Sequence, residues 1–350
     1  MHFKKKIASN LNKCYSIAPL HYNGKQHFLV AAEKKDPCLL FDIEGNLEKT
    51  IWDSPGGTMS MVQVPNTNGQ FLATWKFYSP NDSADAAIVL AQPLGSGQWK
   101  VRTICKLPFV HRFDILRAGN TYYLLACTLK SGHLQKDDWS MPGKVYFAEL
   151  PEDLSVFSET NPLPLTILKE DLHKNHGFFH FHKNGCESAL VTCEEGIFKF
   201  TPPSSPSLEW KIEHMLSLPT SDAALIDLDG DGIEELVAFS PFHGANIHVY
   251  KQTNEKWNLI YSHEPNTEFL HAIWCGNING TNAAVIGHRG GDRDLLLLSY
   301  DSNSHQYVTQ IIDHDCGPAN VTWISNEEHG FLVSTNREIN EIAIYEIDNT

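Results

Sequence analysis

A chain of 350 residues, 42% hydrophobic and 20% charged, is long enough to bury a full core, either as two ordinary domains or as one large all-β unit. Its formal net charge of −15 disfavours nucleic-acid phosphates and anionic membrane surfaces, and Lys4-Lys5-Lys6 is too short a basic run to reverse that. No stretch is long and apolar enough to span a bilayer, so neither nucleic acid nor membrane is an expected partner.

The N-terminus, MHFKKKIASNLNKCYSIAPL, has the cations of a secretory signal but no apolar run of about seven residues behind them. Cys14, Cys38, Cys105, Cys127, Cys186, Cys193, Cys275 and Cys316 are scattered, several inside strand-like apolar runs where a thiol behaves as a small hydrophobe. Reduced thiols and a cytoplasmic location are therefore expected. The sequons at Asn81, Asn279 and Asn320 matter only if that compartment is wrong.

Seven units follow one another along the chain, beginning near Cys14, Gly57, Val110, Asn175, Ser221, Leu270 and Pro318, about 50 residues apart. Each opens with an apolar strand that ends in a Gly, Asn or Asp turn, as in CYSIAPLHYNG or VHRFDILRAGN. A second strand follows (FLVAA, FLATW, YLLAC, ALVTC, ELVAF, AAVIGH, FLVST), then a third, and in most units a fourth that often carries Trp. The pattern predicts an all-β, seven-bladed β-propeller with four-stranded antiparallel blades, occupying 1–350 as one domain. The last unit lacks a fourth strand, while residues 2–9 read as a spare one. Lending that strand to the last blade closes the ring and leaves no open edge.

Unit five contains Asp227-Leu-Asp229-Gly-Asp231-Gly-Ile-Glu234-Glu235 between its first two strands. Carboxylates at alternate positions of a tight loop converge on a hard, oxygen-seeking cation, so Asp227, Asp229, Asp231 and Glu235 (or Glu234) are the expected ligands of a structural Ca²⁺. The motif resembles the calcium loops of FG-GAP (VCBS-type) propeller repeats. The equivalent NINGTN of unit six keeps the turn without the acids.

A stabilising ion on that face directs the search for function to the other, where the inner strands begin. Aligned units place His111, His176 and His271 in one column there, with Ser221 in unit five and Ala319 or Asn320 in unit seven. Imidazoles converging without thiolates suit a borderline divalent metal, Zn²⁺ or Mn²⁺, with open positions for water or substrate. The bland alternative is that each histidine bonds within its own blade. The same rim receives Trp75 and Lys76, His243, and His288 with Arg289 from the ends of second strands. The insertion 128–143 adds Asp138 and Trp139 over it.

The phrase FLHAIWCGNINGTNAAVIGHRGGDRDLLLLSY resembles the propeller domain of aldos-2-ulose dehydratase and the related 1,5-anhydrofructose dehydratases. That resemblance covers mainly units five to seven and does not extend to the C-terminal β-domain of the fungal enzymes. It implies metal-assisted β-elimination from a keto-sugar. A metal on His111, His176 and His271 would polarise the ketone, His288 or His243 would take the α-proton, and Arg289 or Lys76 would steady the enolate. Trp75, Trp139 and Trp274 would offer stacking surfaces, with Asp138 beside them. Cytoplasmic oligogalacturonate lyases are similar in architecture, which keeps uronates in view. Two functions therefore stand open: a carbohydrate lyase or dehydratase, and a non-catalytic propeller that binds a carbohydrate or protein partner with calcium only structural. The sequence is silent on oligomeric state.

Overall fold

The repeated apolar strands pair as their spacing predicts. The computed structural model describes residues 1–183, 185–205, 208–263, 267–325 and 330–348 and consists of seven four-stranded antiparallel sheets set in a ring. Blade one runs through Cys14–Tyr22, Lys25–Ala32, Cys38–Asp42 and Leu47–Trp52. The inner strands of blades two to seven are Met61–Gln63, Val110–Ala118, Gly177–Lys183, Ala223–Ile226, Leu270–Ile278 and Pro318–Ser325. Blade seven takes its outermost strand, His2–Asn10, from the chain start, paired antiparallel with Glu341–Asp348. Lys5 reinforces the closure, its Nζ lying 2.7 Å from both Asp313 and Glu341.

Burial follows strand position. Second strands such as Phe28–Ala32 and Ala283–Ile286 are fully buried between neighbouring blades, which is why they read as unbroken apolar runs. Outer strands are mostly exposed or half-buried. All eight cysteines are free thiols, and all but the exposed Cys186 are buried or half-buried in these layers. No helix of the described residues is long and apolar enough to cross a membrane.

One irregularity recurs and positions the site. In blades one, three, six and seven the inner-strand register slips by one residue at its start, skipping Tyr15, His111, His271 and Ala319. A bulge of this kind bends the strand and re-aims the extra side chain. The skipped residues, with His176 and Ser221 of blades four and five, form a ring at one mouth of the channel. Neighbouring blades bond to the ring's carbonyls: Asn320 Nδ2 and Thr335 Oγ1 donate to Tyr15 O (2.8 and 2.7 Å), and Ser60 Oγ donates to His111 O (3.2 Å).

Candidate metal centre on the propeller axis

The ring histidines share one arrangement. His111 Nδ1–H donates to His176 O (3.3 Å), His176 Nδ1–H to Ser221 O (3.2 Å) and His271 Nδ1–H to Ala319 O (2.7 Å), so each blade anchors its imidazole on the next blade. A carbonyl only accepts, so these bonds fix the tautomer and leave each Nε2 with its lone pair, as metal-ligating histidines are commonly held. All three are 2–3% exposed. Burial first, with the positive charges of Arg112 and, for His271, Arg289, holds their pKa values well below the usual imidazole range. They are neutral at pH 7.

His243 joins them from the turn after the second strand of blade five. That turn holds His243 in the left-handed region at φ 57°, and its backbone N–H donates to Ser221 Oγ (3.2 Å). Ser221 therefore positions both His176, through its carbonyl, and His243, through its hydroxyl. The His243 ring is stacked on Phe269 (centroids 4.1 Å) and meets Phe242 at a tilt (4.0 Å). Burial, then Arg289 and Lys174, pushes its pKa down to about 3. Its Nε2 is buried and has no hydrogen-bond partner among the described residues.

The structure brings together His176, His243 and His271, whose candidate ligand atoms lie within 4.8 Å of one another. His111 stands alongside, its ring 4.8 Å from that of His176. The predicted triad and the observed group thus share two members, and the turn carrying His243 supplies the third. Three neutral imidazoles, two of them with carbonyl-anchored Nδ1 atoms, fit a divalent transition metal such as Zn²⁺ or Mn²⁺ that keeps a position open for another ligand, once the Tyr15 O–H turns off His271 Nε2 to free its lone pair.

The remaining predicted residues scatter. His288 donates Nδ1–H to Gly290 O (2.8 Å) and accepts Asp294 N–H at Nε2 (3.0 Å), so no lone pair is left for a substrate proton and the base role does not fit it. Arg289 bonds Glu338 Oε1 at 2.8 Å and lies over the Phe269 ring at 4.7 Å, so it reaches the cluster through its field. Trp75 packs edge-on to Trp52 (5.6 Å) in the core between blades one and two, away from a stacking role, and Lys76 after it is exposed. Asp138 caps its own turn, accepting from Leu134 N and Ser140 N (2.9 Å each), which lowers its pKa to about 2. Trp139 packs on Phe242 (5.2 Å), with Lys130 Nζ over its ring at 4.9 Å. It roofs the cluster and is separated from it by Phe242.

Three neighbours of the cluster escaped the sequence reading. Tyr15 O–H donates to His271 Nε2 (3.1 Å), and aligning CYSIAP with VHRFDI would have placed Tyr15 in the histidine column. Arg112 lies one residue inward of His111, donating to Met59 O (3.1 Å) and Asn320 Oδ1 (3.3 Å). Asp222, buried, has its pKa pushed up to about 7 by desolvation. No motif marks the last two.

At the opposite face the acidic loop converges as expected: Asp227, Asp229, Asp231 and Glu235 present oxygens within 4.8 Å of one another. A cation of the chain is already among them. Lys251 Nζ lies 2.5 Å from Asp229, 2.8 Å from Asp231 and 2.7 Å from Glu235. Burial opposes its charge, but the three carboxylates outweigh that and raise its pKa above the ordinary lysine value. The oxygens suit Ca²⁺ chemically, and an ion there would have to share them with Lys251 or displace it. Glu234 instead pairs with Lys183. No protein-family model and no curated protein matches the chain, so the fold rests on its topology, and the likeness to FG-GAP repeats and sugar dehydratases rests on motif alone.

Proposed function

We propose that the protein is a metal-dependent carbon–oxygen lyase acting on a keto-sugar or uronate at the propeller axis. The observation that carries this reading is the convergence of three neutral imidazoles, one of which has a buried Nε2 with no partner. An unsatisfied buried ring nitrogen is costly, and a metal ion on its lone pair would satisfy it. A divalent metal on His176, His243 and His271 would supply a Lewis acid for a carbonyl or carboxylate oxygen.

The chain's own residues take the remaining roles. His111, with Nδ1–H committed to His176 O, presents Nε2 as the base for the acidified α-proton. Its low pKa makes it a weak base that is unprotonated across the physiological range. Tyr15 O–H, kept in its neutral form chiefly by burial and released from His271 Nε2 when a metal takes that lone pair, would hand a proton to the departing β-oxygen, and His111 would return the α-proton to the tyrosinate, so the α C–H and β C–O bonds break, water leaves and both residues are restored. Arg112 and Arg289 favour the developing enolate electrostatically. The test is ultraviolet detection of the conjugated product from keto-sugars and uronates, with and without added Zn²⁺ or Mn²⁺. Metal-dependent turnover that disappears in His176→Ala supports the reading. Stoichiometric metal with no turnover on any of them contradicts it.

The donation from Tyr15 O–H to His271 Nε2 favours a second reading, in which the ring is an internally bonded plug and the propeller is a binding platform. Calcium at the acidic loop would then be the structural ion.

A further inference from the structure

The histidine ring is closed on the side from which the sequence invites a substrate. Phe77 covers His111 (centroids 5.0 Å), Phe242 covers His176 (5.5 Å) and Phe269 covers His243 (4.1 Å). Trp139 packs over Phe242 in turn. On the inner side lies a chamber of about 540 Å³ formed by the inner strands and reaching the acidic-loop face at Glu234. That volume is within the usual range of small-ligand pockets, roughly 300–1,000 Å³.

The chamber is electrically asymmetric. Arg112 lines it next to the ring, its guanidinium 5.8 Å from the centroid of the Tyr15 ring and bonded to Met59 O and Asn320 Oδ1. Among the described residues no carboxylate lies within ion-pair distance of Arg112, and burial raises the pKa of the nearby Asp222, which disfavours its charged form. A half-buried guanidinium without a counter-ion calls for an anion. Along the walls, Trp274, stacked on Trp323 at 6.2 Å, offers an apolar face, and the oxygens of Asn320 and Asp114, bonded to Arg112 and to His180 and Ile115 N, keep second lone pairs suited to hydroxyl groups.

We infer that this chamber binds a monosaccharide-sized polyol carrying one carboxylate, admitted from the acidic-loop face with its carboxylate on Arg112. This names the substrate class and the entrance for the lyase proposed above, and rests on that reading for its chemistry but not for its binding.

Calorimetric titration of the EDTA-dialysed protein with sodium galacturonate and sodium glucuronate, against galactose, tests it independently of any metal. The expected result is saturable binding of at least one uronate, at least ten times tighter than galactose, lost in Arg112→Gln, partly restored in Arg112→Lys, and weakened in Trp274→Ala. Wild-type circular dichroism in the variants keeps misfolding out of the comparison, and Arg112→Lys carries the test if Arg112→Gln fails to fold. Equal affinity for uronates and galactose, no binding of either, or an Arg112 variant that binds as wild type overturns the inference. Failure of the histidines to hold zinc would leave this result untouched and would fall on the lyase reading alone.

Discussion

The two polar clusters at opposite ends of the channel both look like metal sites, and they differ in what already meets their lone pairs. The acidic loop has four carboxylates, three of them on the ammonium of Lys251. In the histidine ring the Nδ1 atoms of His176 and His271 are committed to carbonyls and His271 Nε2 accepts from Tyr15, while the Nε2 of His243 meets no partner among the described residues. Ligand-type residues in proximity are therefore weak evidence by themselves. The decisive question is whether the fold has supplied their partner from its own chain.

Acid separates the clusters most strongly. The ring histidines have folded pKa values below the unfolded value, so between about 6.5 and the folded pKa the unfolded chain binds more protons, and stability is lost as pH falls. Each such imidazole contributes roughly 1.4 kcal/mol per pH unit in that window. Asp222, raised to about 7, works the opposite way, gaining stability as pH falls from there, and Glu235 and His180 are raised as well, but His263 and His288 join the four ring imidazoles on the losing side. Denaturant midpoints should drop steeply from pH 6.5 to 5, and the drop should shrink in His243→Leu. In the loop, hydrogen bonds to the Lys251 side chain, then to Ile233 N, lower the pKa of Asp231, so its contribution is lost only below the ordinary aspartate range. A midpoint that stays flat down to pH 5 would refute the buried neutral ring.

Lys251→Met addresses the loop. It leaves Glu235, fully buried, facing Asp229 without a counter-charge. Destabilisation of about 3 kcal/mol is expected in chelator, toward the low end for a broken buried pair because Asp231 is half exposed. Millimolar Ca²⁺ should recover most of it, and the variant should bind Ca²⁺ more tightly than wild type in a calorimetric titration. Wild-type stability in chelator would show that Lys251 does not hold the loop.

Ser221→Ala removes the hydroxyl that accepts from His243 N–H and keeps the carbonyl on His176. As a change one step behind a ligand it should weaken Zn²⁺ about 10–100-fold, read by competition with a chromophoric chelator, without altering the response to Ca²⁺. The smallest effect is expected from Tyr15→Phe. It costs about 1 kcal/mol for one hydrogen bond, by thermal denaturation, and frees His271 Nε2 so that Zn²⁺ binds no more weakly than in wild type.

The architecture was legible because each blade repeats one hydrophobic sentence, and the mismatch between a short last unit and a spare first strand encodes the closure seen in His2–Asn10 against Glu341–Asp348. The acidic loop was legible as local spacing. Its occupant was not, since Lys251 arrives from the third strand, and only the register that sets Glu235 opposite Lys251 brings them together. The histidine column was visible in His111, His176 and His271, but the turn that swings His243 inward depends on a left-handed residue and on Ser221, neither of which has a pattern of its own. Trp75 was misplaced for a related reason: the end of a second strand faces the neighbouring blade as readily as the rim, and the sequence does not say which side an aromatic takes.

The central claim is that the ring holds a transition metal through His176, His243 and His271. Plasma mass spectrometry on tag-free protein, comparing wild type with a His176→Ala, His243→Ala, His271→Ala variant after equilibration with Zn²⁺, Mn²⁺ and Ca²⁺, tests it most directly. The account predicts about one equivalent of Zn²⁺ or Mn²⁺ in wild type and none in the variant, with calcium content equal in the two. Absence of both transition metals from wild type, or an equal amount retained by the variant, would contradict it.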